Sequence, residues 1–103
     1  MATARTVIEE HVVAASIDAA IRKHKRYADL FDGLKWRIAR APQSGYPIPD
    51  TQPQAYLIRS YQWHNFPGAI LIVYVFDEES VTIKAVKVID IAKAIGSVGK
   101  KSA

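Results

Sequence analysis

The sequence predicts an α+β fold in which two N-terminal helices pack on one face of an antiparallel sheet of three to four strands. Three observations carry this prediction. Between Gln54 and Ile91 the chain holds three runs of strand character, YLIRSY, AILIVYVF and VTIKAVKVI, separated by an aromatic Pro-Gly stretch and by DEES. Before them, apolar residues recur at helical rather than strand spacing. Sequential strands joined by short reversals pair antiparallel, and helices with one apolar stripe each bury it most simply on a shared sheet face.

The chain has 103 residues, enough for one domain with a real core and too few for two. The domain is expected to fill 1–103, with the folded part over 5–91 and a flexible basic tail at 96–103. Hydrophobic residues make up 50% of it, which argues for a globule and against disorder. Cysteine is absent, so neither a disulfide nor a thiolate nucleophile is available. His11, His24 and His64 show no HxH or HxxxH spacing, and neither a metal nor a cofactor is expected. No secretory leader is visible, and the longest apolar run, Ala69–Phe76, is too short to span a bilayer. A cytoplasmic protein without membrane contact is the expectation. The net charge of +4 biases the choice of partner toward anions, nucleic acid first and an acidic protein next.

In chain order, Arg5–Glu9 carries the β-branched Thr6, Val7 and Ile8; it reads as a short strand or as the opening of the first helix. His11–Lys25 reads as a helix, with Val13, Ile17, Ala20, Ile21 and His24 on one stripe. Tyr27–Ala39 reads as a second, with Tyr27, Leu30, Phe31, Leu34 and Ile38 inward. Gly33 weakens it by about 1 kcal/mol relative to Ala. Arg37 and Arg40 suit the negative end of its dipole, and Pro42 closes it. A break near Lys25–Arg26 is favoured, because a single helix from His11 to Arg40 would run about 45 Å. Ala41–Pro53 holds four of the five prolines and reads as a loop, pinned to the core edge by Tyr46 and Ile48. Ala55–Tyr61 alternates, with Tyr56 and Ile58 on one face and Leu57, Arg59 and Tyr61 on the other. Pro67-Gly68 turns the chain into Ala69–Phe76, a central strand apolar on both faces. Asp77–Ser80 is a hairpin loop. In Val81–Ile89 the apolar positions change phase, odd through Ala85 and even at Val86 and Val88, which a β-bulge near Ala85–Val86 would reconcile. That bulge puts Lys84 and Lys87 on one face.

The stretches LFDGLKWRIARAPQSGYPI, AYLIRS and LIVYVFDEESVTIKAVKV, in that order, resemble the RelE/ParE superfamily of bacterial type II toxins. The resemblance covers roughly Arg5–Asp90 and lies in pattern and order rather than in a diagnostic motif. It implies a toxin held by an antitoxin, with messenger RNA on the ribosome or gyrase as the target. It also implies a metal-independent endoribonuclease in the RNA-cutting members. Their cleavage relies on basic residues of the sheet face and on a late tyrosine or histidine. Arg59 stands at the basic position of the first long strand. Leu71 stands where an arginine is expected in the central strand, and Ile89 or Asp90 where a basic residue closes the last. The cleavage set is therefore incomplete.

Cutting RNA at the 2′-OH without a metal needs a base, an acid and a cation for the phosphate. Arg59, Lys84 and Lys87 are the candidate cations, or else solvated strand positions. Arg59, Tyr61 and His64 are the candidate catalytic residues, with Tyr61 or Trp63 able to stack a base; the plainer reading has Trp63 and Phe66 capping the core and His64 exposed. Arg37 and Arg40 extend the cationic surface, with Lys35 placed for an ion pair to Asp32. The block Arg22, Lys23, Lys25 and Arg26 is an anion contact or the wet side of a helix. Trp36 lies off its helix's apolar stripe, either under the Tyr46 loop or exposed as a contact for another chain. A catalytically inert interaction module or homodimer with the same fold is the alternative to the toxin.

Overall fold

The computed structural model describes residues 4–60 and 68–90. It opens with strand β1 (Thr6–Glu9), followed by helices α1 (His11–Lys23) and α2 (Arg26–Arg40). A short 3-10 turn (Pro42–Ser44) leads to a two-residue strand β2 (Tyr46–Pro47). Strands β3 (Tyr56–Arg59), β4 (Gly68–Phe76) and β5 (Ser80–Asp90) complete the order. The α+β class and the N-terminal helices are as the sequence predicts. The sheet is larger than predicted, with five strands in the order β1-β5-β4-β3-β2. It is also mixed: β1 runs parallel to β5, while the other pairs are antiparallel. A parallel neighbour is within reach because the two helices carry the chain back over the sheet.

The break between the helices has a local cause. His24 takes an extended backbone, with φ −155° and ψ 121°, which ends α1. Its ring Nδ1 then accepts the Arg26 N–H at 3.2 Å, giving one orphan donor of the new helix a partner. Arg22, Lys23, Lys25 and Arg26 are all exposed around this corner. At the far end of α2, the Ala41 N–H donates to the Arg37 carbonyl at 2.8 Å and Pro42 stops the helix.

The core lies between the helices and one sheet face. Val13, Ile17 and Ala20 from α1 and Tyr27, Leu30, Phe31, Leu34 and Ile38 from α2 meet Ile58, Ile70, Ile72, Tyr74, Val81 and Ile83. Burying each large side chain of this set contributes about 1.5–3 kcal/mol. On the opposite face, Leu57, Leu71, Val73 and Val75 are half-buried.

The phase change in β5 is a register shift. Val73 pairs with Ala85 and Tyr74 with Ile83, so Lys84 is the extra residue. The bulge therefore sits just before the expected Ala85–Val86 position. It has the expected effect on the core, since Ile83 on one side of it and Val86 and Val88 on the other all pack inward.

The proline-rich segment is better built than a plain loop. β2 pairs with β3, Tyr46 opposite Leu57 and Pro47 opposite Tyr56. Thr51 Oγ1 donates to the Ile48 carbonyl at 2.9 Å and accepts the Ala55 N–H at 2.8 Å. The expectation that Tyr46 pins this segment to the core is wrong: its side chain shares the sheet face of Leu57 and is 79% exposed. The pin is Tyr74 instead. Its buried hydroxyl donates to the Pro42 carbonyl at 2.5 Å and accepts the Gly45 N–H at 3.2 Å. Burial pushes the Tyr74 hydroxyl above the ordinary tyrosine value, against the opposing effects of the Gly45 N–H and the Arg37 charge.

The β4–β5 loop is closed by its own carboxylate. Asp77 Oδ1 accepts the Glu79 and Ser80 N–H groups, each at 2.8 Å, and these bonds hold its acidity below the ordinary aspartate value. No helix among the described residues is long and apolar enough to cross a membrane.

Candidate functional site

Strand register fixes the cations of the sheet. Arg59 pairs with Leu71 and Leu71 with Lys87, so the three form one cross-strand row. Residues in such a row share a face. Arg59 and Lys87 are both exposed on the side away from the helices. Two inter-strand spacings separate their backbones, about 10 Å, close enough for one phosphodiester stretch or one acidic segment to reach both.

Lys84 does not join them as a free cation. Its Nζ lies 2.6 Å from Glu10 Oε2, beside the end of β1. The parallel pairing of β1 and β5 puts Glu10 there, and no local pattern signals that pairing. The expected trio of Arg59, Lys84 and Lys87 is thus a pair plus a neutralised lysine. Lys35 bridges Glu9 at 3.3 Å and, at 3.7 Å, the Asp32 that helical spacing predicts.

Arg37 and Arg59, assigned from separate elements, meet at one cavity. A hollow of about 340 Å³ between the end of α2 and the β2–β3 edge is lined by Arg37, Ser44, Gly45, Tyr46, Arg59 and Ser60, with Leu57 and Ile58 behind. β2 is only two residues long, so beyond Leu57 the outer edge of β3 has no β2 partner. The Pro42–Ser44 turn brings Ser44 and Gly45 to the wall, and Tyr74 holds that turn from below. Gly45 is required there: a Cβ would lie 2.5 Å from Tyr74 Oη and 3.0 Å from the Leu57 carbonyl.

A second hollow of similar size, about 340 Å³, adjoins the first along α2. It is lined by Asp29, Leu30, Gly33, Leu34, Trp36, Arg37 and Ser60, so Arg37 and Ser60 border both. Ser60 is buried; its N–H donates to the Ile70 carbonyl and its Oγ accepts the Ile70 N–H, each at 2.9 Å. Sequence reasoning singled out neither Ser60 nor Gly33 as a wall of a site. Trp36 resolves to the exposed of its two readings, at 61%. Arg40 stacks over its ring at 4.3 Å and donates to its carbonyl. Arg40 thereby stiffens the rim and lines neither hollow. Tyr61, Trp63, His64 and Phe66, and the basic tail, lie outside the described residues.

Searches of protein-family models, of curated proteins and of solved structures return no match to this chain.

Proposed function

We propose that this chain is a toxin-like component of a bacterial type II toxin–antitoxin pair, of the RelE/ParE kind. In this reading it binds an antitoxin and offers Arg59, Lys87 and Arg37 to an anionic target such as RNA. The observation that carries the reading is the meeting of Arg59 with Lys87 across Leu71 and with Arg37 across the cleft. The helix-helix-strand order and the charge of +4 support it. The reading is one of binding. Strand cleavage would further need a base and an acid beside Arg59; on sequence grounds His64 suits acid–base work, and Tyr61 is a candidate catalytic residue able to stack a base.

The test is induced expression in a bacterium. Growth arrest is expected, with relief by Arg59→Ala and by co-expression of a small acidic protein encoded next to this one. Wild-type protein accumulating without any effect on growth overturns the toxin reading. RNA binding is to be measured with a single-stranded oligonucleotide over a salt series, where affinity falls as salt rises if phosphates are contacted.

A second reading, an inert interaction module or homodimer, is favoured by one observation. Tyr46 and Trp36 are both largely exposed, and large aromatic side chains in that state suit an interface. A dimer in solution that Trp36→Ala or Tyr46→Ala dissociates, together with unimpaired growth, selects it.

A further inference from the structure

We propose that the continuous cleft along α2 and the β3 edge is a docking groove for an extended segment of a partner polypeptide, one that inserts an apolar side chain over Gly33 and sets a carboxylate against Arg37 and Arg59. The inference needs no toxic activity and holds for an inert module as well.

Gly33 is the first argument. It lies inside an amphipathic helix, where glycine costs about 1 kcal/mol relative to alanine. Among the described residues no packing contact repays that cost. A Cβ at Gly33 would meet no atom within 4 Å, and no steric need keeps the position bare. What the missing side chain does provide is depth: Gly33 forms part of a hollow walled by Leu30, Leu34 and the exposed Trp36. An apolar floor beside an exposed tryptophan matches the pockets that receive anchor side chains at protein interfaces.

Charge is the second argument. The groove is bipolar along the helix. Asp29 stands at one end, Arg37 and then Arg59 at the other, and Gly33 in the middle. Asp29 to Gly33 and Gly33 to Arg37 are each one step of four residues, about 6 Å along the axis. In an extended peptide, residues two apart point to the same side and lie about 6.6 Å apart. The complementary ligand therefore reads basic–x–apolar–x–acidic, with its middle side chain over Gly33. Arg37 and Ser60 border both hollows, so one strand of peptide passes from one to the other along the β3 edge beyond Leu57, which no described strand other than β4 pairs.

The test uses the whole chain. Random-sequence peptides displayed on phage are selected against it, and the enriched peptides are synthesised and titrated by fluorescence anisotropy. Enrichment of an apolar residue two positions from Asp or Glu is expected. Gly33→Leu, which fills the groove, and Arg59→Glu should each weaken binding by about tenfold or more. Lys84→Glu, a charge reversal away from the groove, should leave it unchanged. Trp36→Ala serves as a second groove variant if Gly33→Leu lowers the melting temperature. The proposal is overturned if no peptide is enriched, or if the enriched peptides bind Gly33→Leu and Trp36→Ala as tightly as wild type. A groove that refuses peptides but takes up single-stranded RNA overturns it as well. Growth arrest is read separately, so loss of the toxin reading leaves this result standing.

Discussion

Removing the Tyr74 hydroxyl should loosen the turn that walls the cleft. In Tyr74→Phe the Pro42 carbonyl loses its donor and the Gly45 N–H its acceptor. A buried polar group left unpaired costs about 1–3 kcal/mol. Water can reach half-buried Gly45, so the two losses together should come to about 2 kcal/mol. For a chain of this size that lowers Tm by roughly 8–16 °C. Gly45→Ala attacks the same contact from the other side, because its Cβ would sit 2.5 Å from Tyr74 Oη. Such overpacking costs about 1–3 kcal/mol. The decisive measurement is the double variant. In the phenylalanine background the clashing oxygen is gone, so Gly45→Ala should cost about 1 kcal/mol less than in wild type. Urea denaturation of the four proteins gives that coupling. Effects additive to within about 0.3–0.5 kcal/mol would refute the contact. The same comparison has a pH signature. The Tyr74 hydroxyl titrates above its unfolded value of about 10. Its stabilising effect is complete below that pH and is lost as pH rises through the folded value, so the gap between wild type and Tyr74→Phe should narrow in alkali.

Three further outcomes follow from single contacts. Gly33→Ala, with open space at its Cβ, should raise stability by about 0.5–1 kcal/mol in a thermal melt; a lower Tm would mean that the helix is not as straight or as exposed there. Lys84→Ala breaks one exposed ion pair with Glu10 and should change stability by no more than about 1 kcal/mol, while leaving oligonucleotide binding at Arg59 and Lys87 intact. Asp77→Ala removes a carboxylate whose acidity is strengthened by the Glu79 and Ser80 N–H groups. The wild-type contribution is present above the ordinary aspartate range and lost as pH falls through the folded value, so the variant should show a shallower loss of stability on acidification.

What could be read from the sequence depended on how far apart the interacting residues are. The helices were legible because Tyr27, Leu30, Phe31, Leu34 and Ile38 repeat at the helical step; the break was favoured only on length, and its local cause, the extended backbone at His24, has no sequence signature. β2 was not legible: two residues show no period, and Pro47 argues against a strand until its edge position is known. The pairing of β1 with β5 spans most of the chain, and no local pattern encodes it. That pairing in turn decides Lys84, whose partner Glu10 is 74 residues away. Arg59 and Lys87 were placed correctly on one face because alternation and the phase change sufficed. The Arg37–Arg59 cleft was not foreseen, since it depends on the turn that Tyr74 holds from β4.

The bulge is where core and surface demands on β5 are reconciled, and deletions can test it. Val81 and Ile83 are fully buried, and Val86 and Val88 continue the same face after the extra residue. Deleting Lys84 leaves Ile83 and Ala85 as neighbours, opposite Tyr74 and Val73 as they already are. The strand becomes regular, the Arg59–Leu71–Lys87 row survives, and only the ion pair to Glu10 is lost. A folded, cooperative protein is expected, with a melting temperature near that of wild type. Deleting Thr82 also removes one residue from β5, but nothing in the register absorbs it. Either Val81 or Ile83 must then turn outward, at about 2–5 kcal/mol for the core volume vacated. If the two deletions prove equally damaging, Lys84 is not the surplus residue, and the face on which Lys87 stands must be reassigned.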